Sequence, residues 1–251
     1  MTSELRIIPV RVRRDVRPGD DLAGLLLAAL HQQNLRLTAG DILVVTHKIV
    51  SKSEGEVVPL KSVKPSAPAR RWAARYGAGA RLTELTLAQA QRVVRMQKGV
   101  IITETRHGLV CANSGVDLSN VDGGRSAVLL PHDPDASAAR LHQELRRRLR
   151  LHVPVIITDT FGRPWREGLT EVAIGVAGMT AFRDYRGRRD PHGFKLKASI
   201  EAVADEIACA AGLACGKLDG APAAIVRGFG YTRARGSARE MIRPAERDLF
   251  R

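Results

Sequence analysis

V-P-V-I-I-T-D-T-F-G-R-P-W-R-E-G, residues 153–168, is the run whose reading decides the fold. Val153 to Ile157 is apolar and β-branched, and reads as a buried strand that stops at Asp159 and Thr160. A Gly/Pro turn holding Arg163 and Arg166 follows. Upstream, C-A-N-S-G-V-D-L-S-N-V, residues 111–121, places Asp117 and Asn120 in a small-residue loop with little apolar content to bury. Two separate oxygen-rich loops, one flanked by arginines, suit a hard divalent cation and the phosphates it would escort. An Asp at a strand end also commonly caps a turn, and either loop alone fits that reading. The pair, with its arginines, points to a site.

Outward from this run the chain alternates strands and helices. Leu5 to Val12 reads as an opening strand. Gly19-Asp20-Asp21 caps a helix whose Leu22, Leu25, Leu26 and Leu30 recur at helical spacing. Asp41 to Val45 is β-rich and leads into a Thr/Ser/Gly-rich loop, Thr46 to Gly55. Helices are expected over Ala69 to Tyr76 and Leu85 to Gln97, and short strands over Val100 to Thr103 and Ala127 to Leu130. Asp135 is the expected N-cap of a helix from Ala136 to Leu151. Its Leu141, Leu145, Leu149 stripe faces inward, which leaves Arg146, Arg147, Arg148 and Arg150 as a solvated face. A helix from Ala198 to Leu213 and a strand from Ala223 to Arg227 complete the reading. The whole chain is expected to form one unit, with a second domain conceivable from near Pro131.

The chain has 251 residues, enough for a full core, and 44% of them are hydrophobic. With only 2 Trp, 3 Tyr and 5 Phe, that core is aliphatic, as in mixed α/β or α+β proteins. The formal charge is +14, from 40 Lys and Arg against 26 Asp and Glu, so any polyanion is attracted without being selected. Cys111, Cys209 and Cys215 form no C-x-x-C pair, and an odd cysteine count in this setting fits a reducing compartment. The N-terminus lacks the pattern of a secretory signal, and no apolar stretch approaches the roughly 20 residues that span a bilayer. A soluble cytoplasmic protein is expected.

Several familiar sites are missing. Gly212 to Leu218 imitates a phosphate loop, but one residue is lacking between its glycines and no Ser or Thr follows Lys217. Gly228-Phe229-Gly230 lacks the third glycine of a dinucleotide fingerprint, and no G-x-S-x-G elbow occurs. The histidines show no H-x-x-H or H-E-x-x-H spacing, so a metal would be held by oxygen, as Mg²⁺ or Mn²⁺ is. Lys48 and Lys52, following the Ile42-Leu43-Val44-Val45 strand, are candidates to meet a phosphate, although exposed loop lysines would look the same.

Taken in order, Thr46 to Val58, Glu104 to Val121, Leu129 to Ala138, Val153 to Met179, Asp184 to Gly187, Val203 to Glu206, Ala224 to Gly228 and Arg243 to Arg251 resemble the coenzyme F420-0:L-glutamate ligase (F420 gamma-glutamyl ligase) family nearly end to end. The resemblance is to the single-function form, without a nitroreductase-like domain. It implies an α+β fold with mixed sheets and packed helices, in an intertwined homodimer. It also implies GTP-dependent joining of L-glutamate to the terminal carboxylate of F420-0, followed by further γ-linked glutamates, with a divalent metal and K⁺. The family's metal ligands fall on Asp117, Asp159 and Thr160. Its GTP contacts fall on Asn120, His47, Lys48 and Lys52, on Arg13, Arg14, Asp15 and Val16, and on Cys215, Gly216, Lys217, Leu218, Asp219, Gly220, Ala221 and Pro222. Lys217 stands where some relatives place an oxygen-bearing residue near a second metal. A protonated lysine does not ligate, which leaves the number of metals open.

Carboxylate activation by GTP proceeds through an acyl phosphate, and such phosphoryl transfer depends on positioning and charge neutralisation. Arg163 and Arg166 are the expected catalytic donors to the developing phosphoryl charge. Two other readings stay open. One is a metal-dependent phosphotransferase that phosphorylates a carboxylate without ligating an amine. The other is a basic RNA-binding protein, disfavoured by the lack of clustered aromatics for base stacking.

Overall fold

The computed structural model describes residues 4–119 and 121–249; Asn120 lies outside the described residues. Strand β1 (Arg6–Val10) leads to helix α1 (Leu22–Gln32), β2 (Ile42–Thr46), α2 (His47–Glu54) and β3 (Val57–Pro59). Helices α3 (Ala67–Tyr76) and α4 (Ala80–Gln89) precede a meander of β4 (Ala90–Gln97), β5 (Val100–Thr105) and β6 (Val110–Ala112). Then come β7 (Ser126–Val128), α5 (Pro134–Leu149), and the long hairpin of β8 (Val155–Arg163) and β9 (Arg166–Ala177). The short pair β10 (Arg183–Asp184) and β11 (Ile200–Glu201), helix α6 (Val203–Cys215) and β12 (Ala223–Arg227) complete the set. The α+β class with mixed sheets is as expected. No helix among the described residues is long and apolar enough to cross a membrane.

The central sheet has the order β1-β12-β2-β8-β9. Its β2–β8 pair is parallel, with Leu43 opposite Val155 and Thr46 opposite Thr158. The other pairs are antiparallel. β2 is I-L-V-V-T because both of its faces are covered, which removes any polar alternation. Leu43, Val45, Val155, Ile157 and Ile225 share one core cluster with Leu26 and Leu30 of α1 and Leu141 and Leu145 of α5. The intervening residues Ile42, Val44, Ile156 and Val226 share a second cluster with Val203, Ala204, Ile207, Ala208 and Ala211 of α6. The two-residue period of a strand thus sorts the side chains between the two helical layers. The sheet takes strands from both sides of Pro131, and Leu130 and Val153 lie in the same cluster. Each fully buried Leu or Ile contributes about 1.5–3 kcal/mol. The exposed Arg147–Glu144 and Arg148–Glu144 pairs on α5, of a kind worth about 0–1 kcal/mol, are minor beside them. At the rim, buried Asp41 holds the Arg227 guanidinium through Nε and Nη2, both at 2.8 Å, which locks the start of β2 to the end of β12.

Four expectations are corrected. Thr46 to Gly55 is not a loop: after Thr46 the chain forms α2, closed by Gly55 in the left-handed region at φ 83°. Leu85 to Gln97 is not one helix: α4 ends at Gln89, and Ala90–Gln97 is a strand. β4 turns into β5 through Lys98 and Gly99, both at positive φ (52° and 78°), the geometry of a type I′ hairpin. The apolar strand does not stop at Asp159 but runs on to Arg163 and pairs with β9. Finally, Asp133, not Asp135, caps α5, accepting from the Ala136 amide at 3.1 Å with Pro134 in the first turn.

Asp135 instead accepts from the Val176 amide (2.9 Å), the Ala238 amide (2.8 Å) and the Ser237 hydroxyl (2.5 Å), tying β9 and the segment after β12 to α5. Asp135→Ala leaves buried amides unpaired and is expected to cost about 1–3 kcal/mol per orphaned group. Asp133→Ala removes mainly a cap worth about 1 kcal/mol. Urea denaturation of both variants compares them, and an equal or smaller loss for Asp135→Ala would remove its anchoring role.

Candidate active site

A cavity of about 840 Å³ opens where β2 and β8 end side by side. Open sheets bind ligands at the carboxyl ends of parallel strands, and the volume lies within the roughly 300–1,000 Å³ range of ligand sites. Its walls are the segment Arg13 to Val16, α2, the loop after β6, the outer half of the β8–β9 hairpin, and the turn between α6 and β12. The structure brings together on these walls Arg13, Arg14, Asp15, Val16, His47, Lys48, Lys52, Asp117, Asp159, Thr160, Cys215, Gly216, Lys217, Leu218, Gly220, Ala221 and Pro222. Asp219 is not on the wall; its carboxylate lies over Gly216. Arg163 and Arg166 sit at the hairpin tip outside the wall, and the Arg163 Nη2 donates to the Glu167 carbonyl at 2.8 Å.

The loop carrying Asp117 is shaped by backbone strain. Asn113, Ser114 and Gly115 all lie at positive φ (52°, 55° and 68°). For Asn113 and Ser114 this costs about 1–3 kcal/mol each and persists only where the surroundings hold it, whereas Gly115 takes the conformation freely. Here buried Ser114 donates to the Thr86 carbonyl at 2.7 Å, and its hydroxyl meets that of Thr103 at 2.9 Å. A side chain at Gly115 would strike Leu130, since a Cβ there would lie 2.8 Å from its Cγ. Asp117 is then locked by exchanging backbone hydrogen bonds with Val128.

In the hairpin across the cavity, Ile174 is an extra, buried residue in β9, because Ile157 pairs with Gly175 and Thr158 with Ala173. This bulge re-aims the outer hairpin immediately before Asp159. The Ala173 amide is taken up by Asp205 at 2.8 Å.

Each acidic side chain of the cavity already meets a nitrogen-bearing side chain, a lysine in three cases and a histidine in the fourth. The Lys48 Nζ donates to Asp117 Oδ2 at 2.7 Å and to the Ser119 hydroxyl at 2.5 Å, while the Ser119 amide donates to Asp117 Oδ1 at 2.6 Å. Burial pushes the Asp117 carboxyl up, but Lys48 and the Ser119 donors outweigh it and hold it below the usual carboxylate range. His47 Nε2 lies 3.3 Å from Asp159 Oδ1, which also accepts from the Thr160 amide at 2.7 Å. Lys52, only 7% exposed, donates to Asp15 Oδ1 at 2.6 Å, so it is a buried helical lysine and not an exposed loop residue. Burial and the nearby Asp159 charge push the Cys111 thiol up to about 12, and burial with Glu171 pushes Cys215 up to about 11. Neither is a thiolate nucleophile at neutral pH.

Glu171 was missed in the sequence. It lies on the cavity wall, accepts from the Thr160 hydroxyl at 2.7 Å, and meets the Lys217 Nζ at 3.3 Å. It is read as one more residue of an alternating strand, and only the pairing of Glu171 with Thr160 across the hairpin exposes its role. The donors Asp117, Asp159 and Thr160 are hard oxygens on one cavity. Among the described residues no group of three His, Cys, Asp or Glu side chains forms a complete metal cage. Hard oxygens of this kind are the donor type that Mg²⁺ and Mn²⁺ take.

The sequence profile described as F420-0:Gamma-glutamyl ligase matches residues 11–228, a span that includes every wall of the cavity. The protein named coenzyme F420:L-glutamate ligase of Methanopyrus kandleri is 46% identical over 252 aligned positions, covering 98% of each chain. Its namesake in Methanothermobacter thermautotrophicus is 44% identical over 239 residues, 94% of each chain. That of Archaeoglobus fulgidus is 38% identical over 248 residues, 98% of this chain and 96% of the relative. Similarity of this extent, spanning both strained loop and bulged hairpin, is decisive: the chain belongs to the F420-0:gamma-glutamyl ligase family.

Proposed function

We propose that this protein joins L-glutamate to the terminal carboxylate of F420-0 at the expense of GTP, and then adds further γ-linked glutamates. The reading is supported chiefly by the convergence of Asp117, Asp159, Thr160, Lys48 and Lys52 on one cavity beside the ends of β2 and β8. The F420-0 carboxylate attacks the γ-phosphorus of GTP, the bond to the β,γ-bridging oxygen breaks, and GDP leaves. The glutamate amine attacks the resulting acyl phosphate, its carbon–oxygen bond breaks, and phosphate and a proton are released. Such transfer needs charge neutralisation more than covalent help, and the buried thiols supply none.

Asp117, Asp159 and Thr160 would hold Mg²⁺ or Mn²⁺, which when bound supplies a positive charge to the phosphoryl oxygens. Lys48 and Lys52 are placed by consecutive turns of α2, so both ammonium groups reach the cavity from one rigid element. Asp117 holds the Lys48 ammonium and Asp15 that of Lys52. The proposal includes K⁺ as an activating ion and a homodimer. Exposed Val93, Val94, Val100 and Val110 on β4–β6, with Trp165 and Leu169 on the hairpin, are apolar surface for a second copy to cover. Arg163 and Arg166, at the tip of the same hairpin and off the cavity wall, stay in the proposal as donors to the developing phosphoryl charge. A phosphotransferase that leaves the acyl phosphate uncaptured is the alternative; mass spectrometry of F420-0 incubated with GTP, Mn²⁺ and glutamate separates the two by the glutamyl mass increment.

Asp159→Asn and Asp117→Asn keep the volume but lose the charge. Each is expected to retain cooperative melting while ligation falls by at least about tenfold, the equivalent of about 1.4 kcal/mol in the barrier. Near-normal turnover at saturating Mn²⁺ would remove these carboxylates from the reaction.

Lys52→Met retains the buried stem and deletes the ammonium, leaving the exposed Asp15 in water. GTP affinity should weaken about tenfold, again about 1.4 kcal/mol, with little change in melting temperature. Lys52→Ala should lower both, because it also removes buried methylenes. Calorimetric titration with GTP measures the affinities, and an unchanged value for Lys52→Met would leave the lysine a purely structural part.

A further inference from the structure

Helix α6 ends at Cys215, and Gly216 (φ 60°, ψ −168°) turns the chain so that Lys217 reaches back over the cavity. Nothing buries this turn: the next residue, Leu218, is 97% exposed. Lys217 is held there by its own ammonium, which lies 2.6 Å from Thr160 Oγ1 and 3.3 Å from Glu171 Oε1. The Thr160 hydroxyl donates its proton to Glu171 Oε1 at 2.7 Å, so it can offer only lone pairs to Lys217. A neutral oxygen and a carboxylate oxygen, already oriented by each other, form a receptor for a positive charge.

The receptor is built into the fold. Thr160 and Glu171 are cross-strand partners on the hairpin. Glu171 is 14% exposed and lies against α6 at Gly212, where a Cβ would come 2.5 Å from its Cγ. Any side chain at position 212 would displace the carboxylate. The two oxygens are of the hard type that bind divalent cations, yet an ammonium on a flexible four-carbon stem occupies them.

We propose that Lys217 is a built-in cation: its ammonium fills, at Thr160 and Glu171, a position that a metal ion would otherwise take, so that the Thr160 hydroxyl is withdrawn from the three metal ligands proposed above and Asp117 and Asp159 remain as the protein's metal position. This rests on the phosphoryl-transfer reading, because a fixed positive charge at this point serves the phosphate-bearing nucleotide in the same cavity. A lysine differs from a metal here in being a permanent part of the chain, bearing a single charge, and contributing no open coordination position for water.

The test is metal stoichiometry, measured without turnover. Mn²⁺ binding is titrated by electron paramagnetic resonance with a non-hydrolysable GTP analogue present, for the wild type and for Lys217→Gln. The amide of Gln adds an oxygen donor and releases Thr160 and Glu171. The variant is expected to bind one more Mn²⁺ per chain than the wild type, and the double variant Lys217→Gln/Glu171→Gln should lose that extra ion. Equal stoichiometry in wild type and Lys217→Gln, including the case where both already bind two ions, overturns the proposal. Because the exposed turn carries no core packing, thermal melts should show all three proteins folded. Failure of the ligase reading shows up separately, as wild-type enzyme that forms no glutamylated F420-0, whatever its Mn²⁺ count.

Discussion

The parallel pairing of β2 with β8 is the constraint from which the site follows. It sets Thr46 beside Thr158, so the chain leaves both strands at the same edge of the sheet. From one strand α2 departs at once, carrying His47, Lys48 and Lys52; from the other the chain continues through Asp159 and Thr160. Because β2 and β8 are central and covered on both faces, neither end can move without disturbing two core clusters. A register slip of one residue would exchange those clusters and turn buried Ile and Val toward the wrong layer. The functional side chains thus inherit their positions from aliphatic packing.

Charge is arranged inside this frame as matched pairs. Asp117 with Lys48, Asp15 with Lys52, and Glu171 with Lys217 each balance a charge that would be costly alone at a partly buried wall, and Asp159 lies beside the His47 ring. Pairing keeps the free protein stable while leaving both signs available. The arginine run on α5 lies apart from the cavity: Arg146, Arg147 and Arg148 are exposed, and Arg148 pairs with Asp21 and Glu144.

The sequence was informative where local chemistry and tertiary context agree. Asp21 caps α1 as its position before the leucine stripe suggests, and β12 matches its apolar run residue for residue. Asp117 and Asp159 read as oxygen donors from separate parts of the chain, and both line the cavity, although Asp159 stands in β8 and not in a loop. The failures have physical causes. Helix α2 is short and polar, with adjacent Ile49 and Val50 as its only aliphatic pair, so it has no stripe to read; Gly55 was the available signal. β4 carries a helix-compatible composition, and pairing with β5 across Lys98 and Gly99 overrides it. Arg163 and Arg166 looked like neighbours of Asp159 because a turn was placed after Thr160, whereas three further strand residues carry them away along the hairpin. Glu171 could not be found without the hairpin register.

The strand order has a consequence for how the molecule is made. β12 inserts between β1 and β2, although it follows them by most of the chain. During synthesis the I-L-V-V-T strand therefore waits, with an unpaired edge, until residues 223–227 emerge from the ribosome. Ile7 waits likewise for Val226. A flat, apolar, open edge is what intermolecular strand pairing seeks, and contacts this distant in sequence form slowly. The turn from Cys215 to Pro222 arrives at the same late moment, so the cavity closes only as the sheet does. Nascent chains would have no completed cavity until that last strand is in place, and protection of the growing β2 edge falls to chaperones or to rapid burial under α1 and α5.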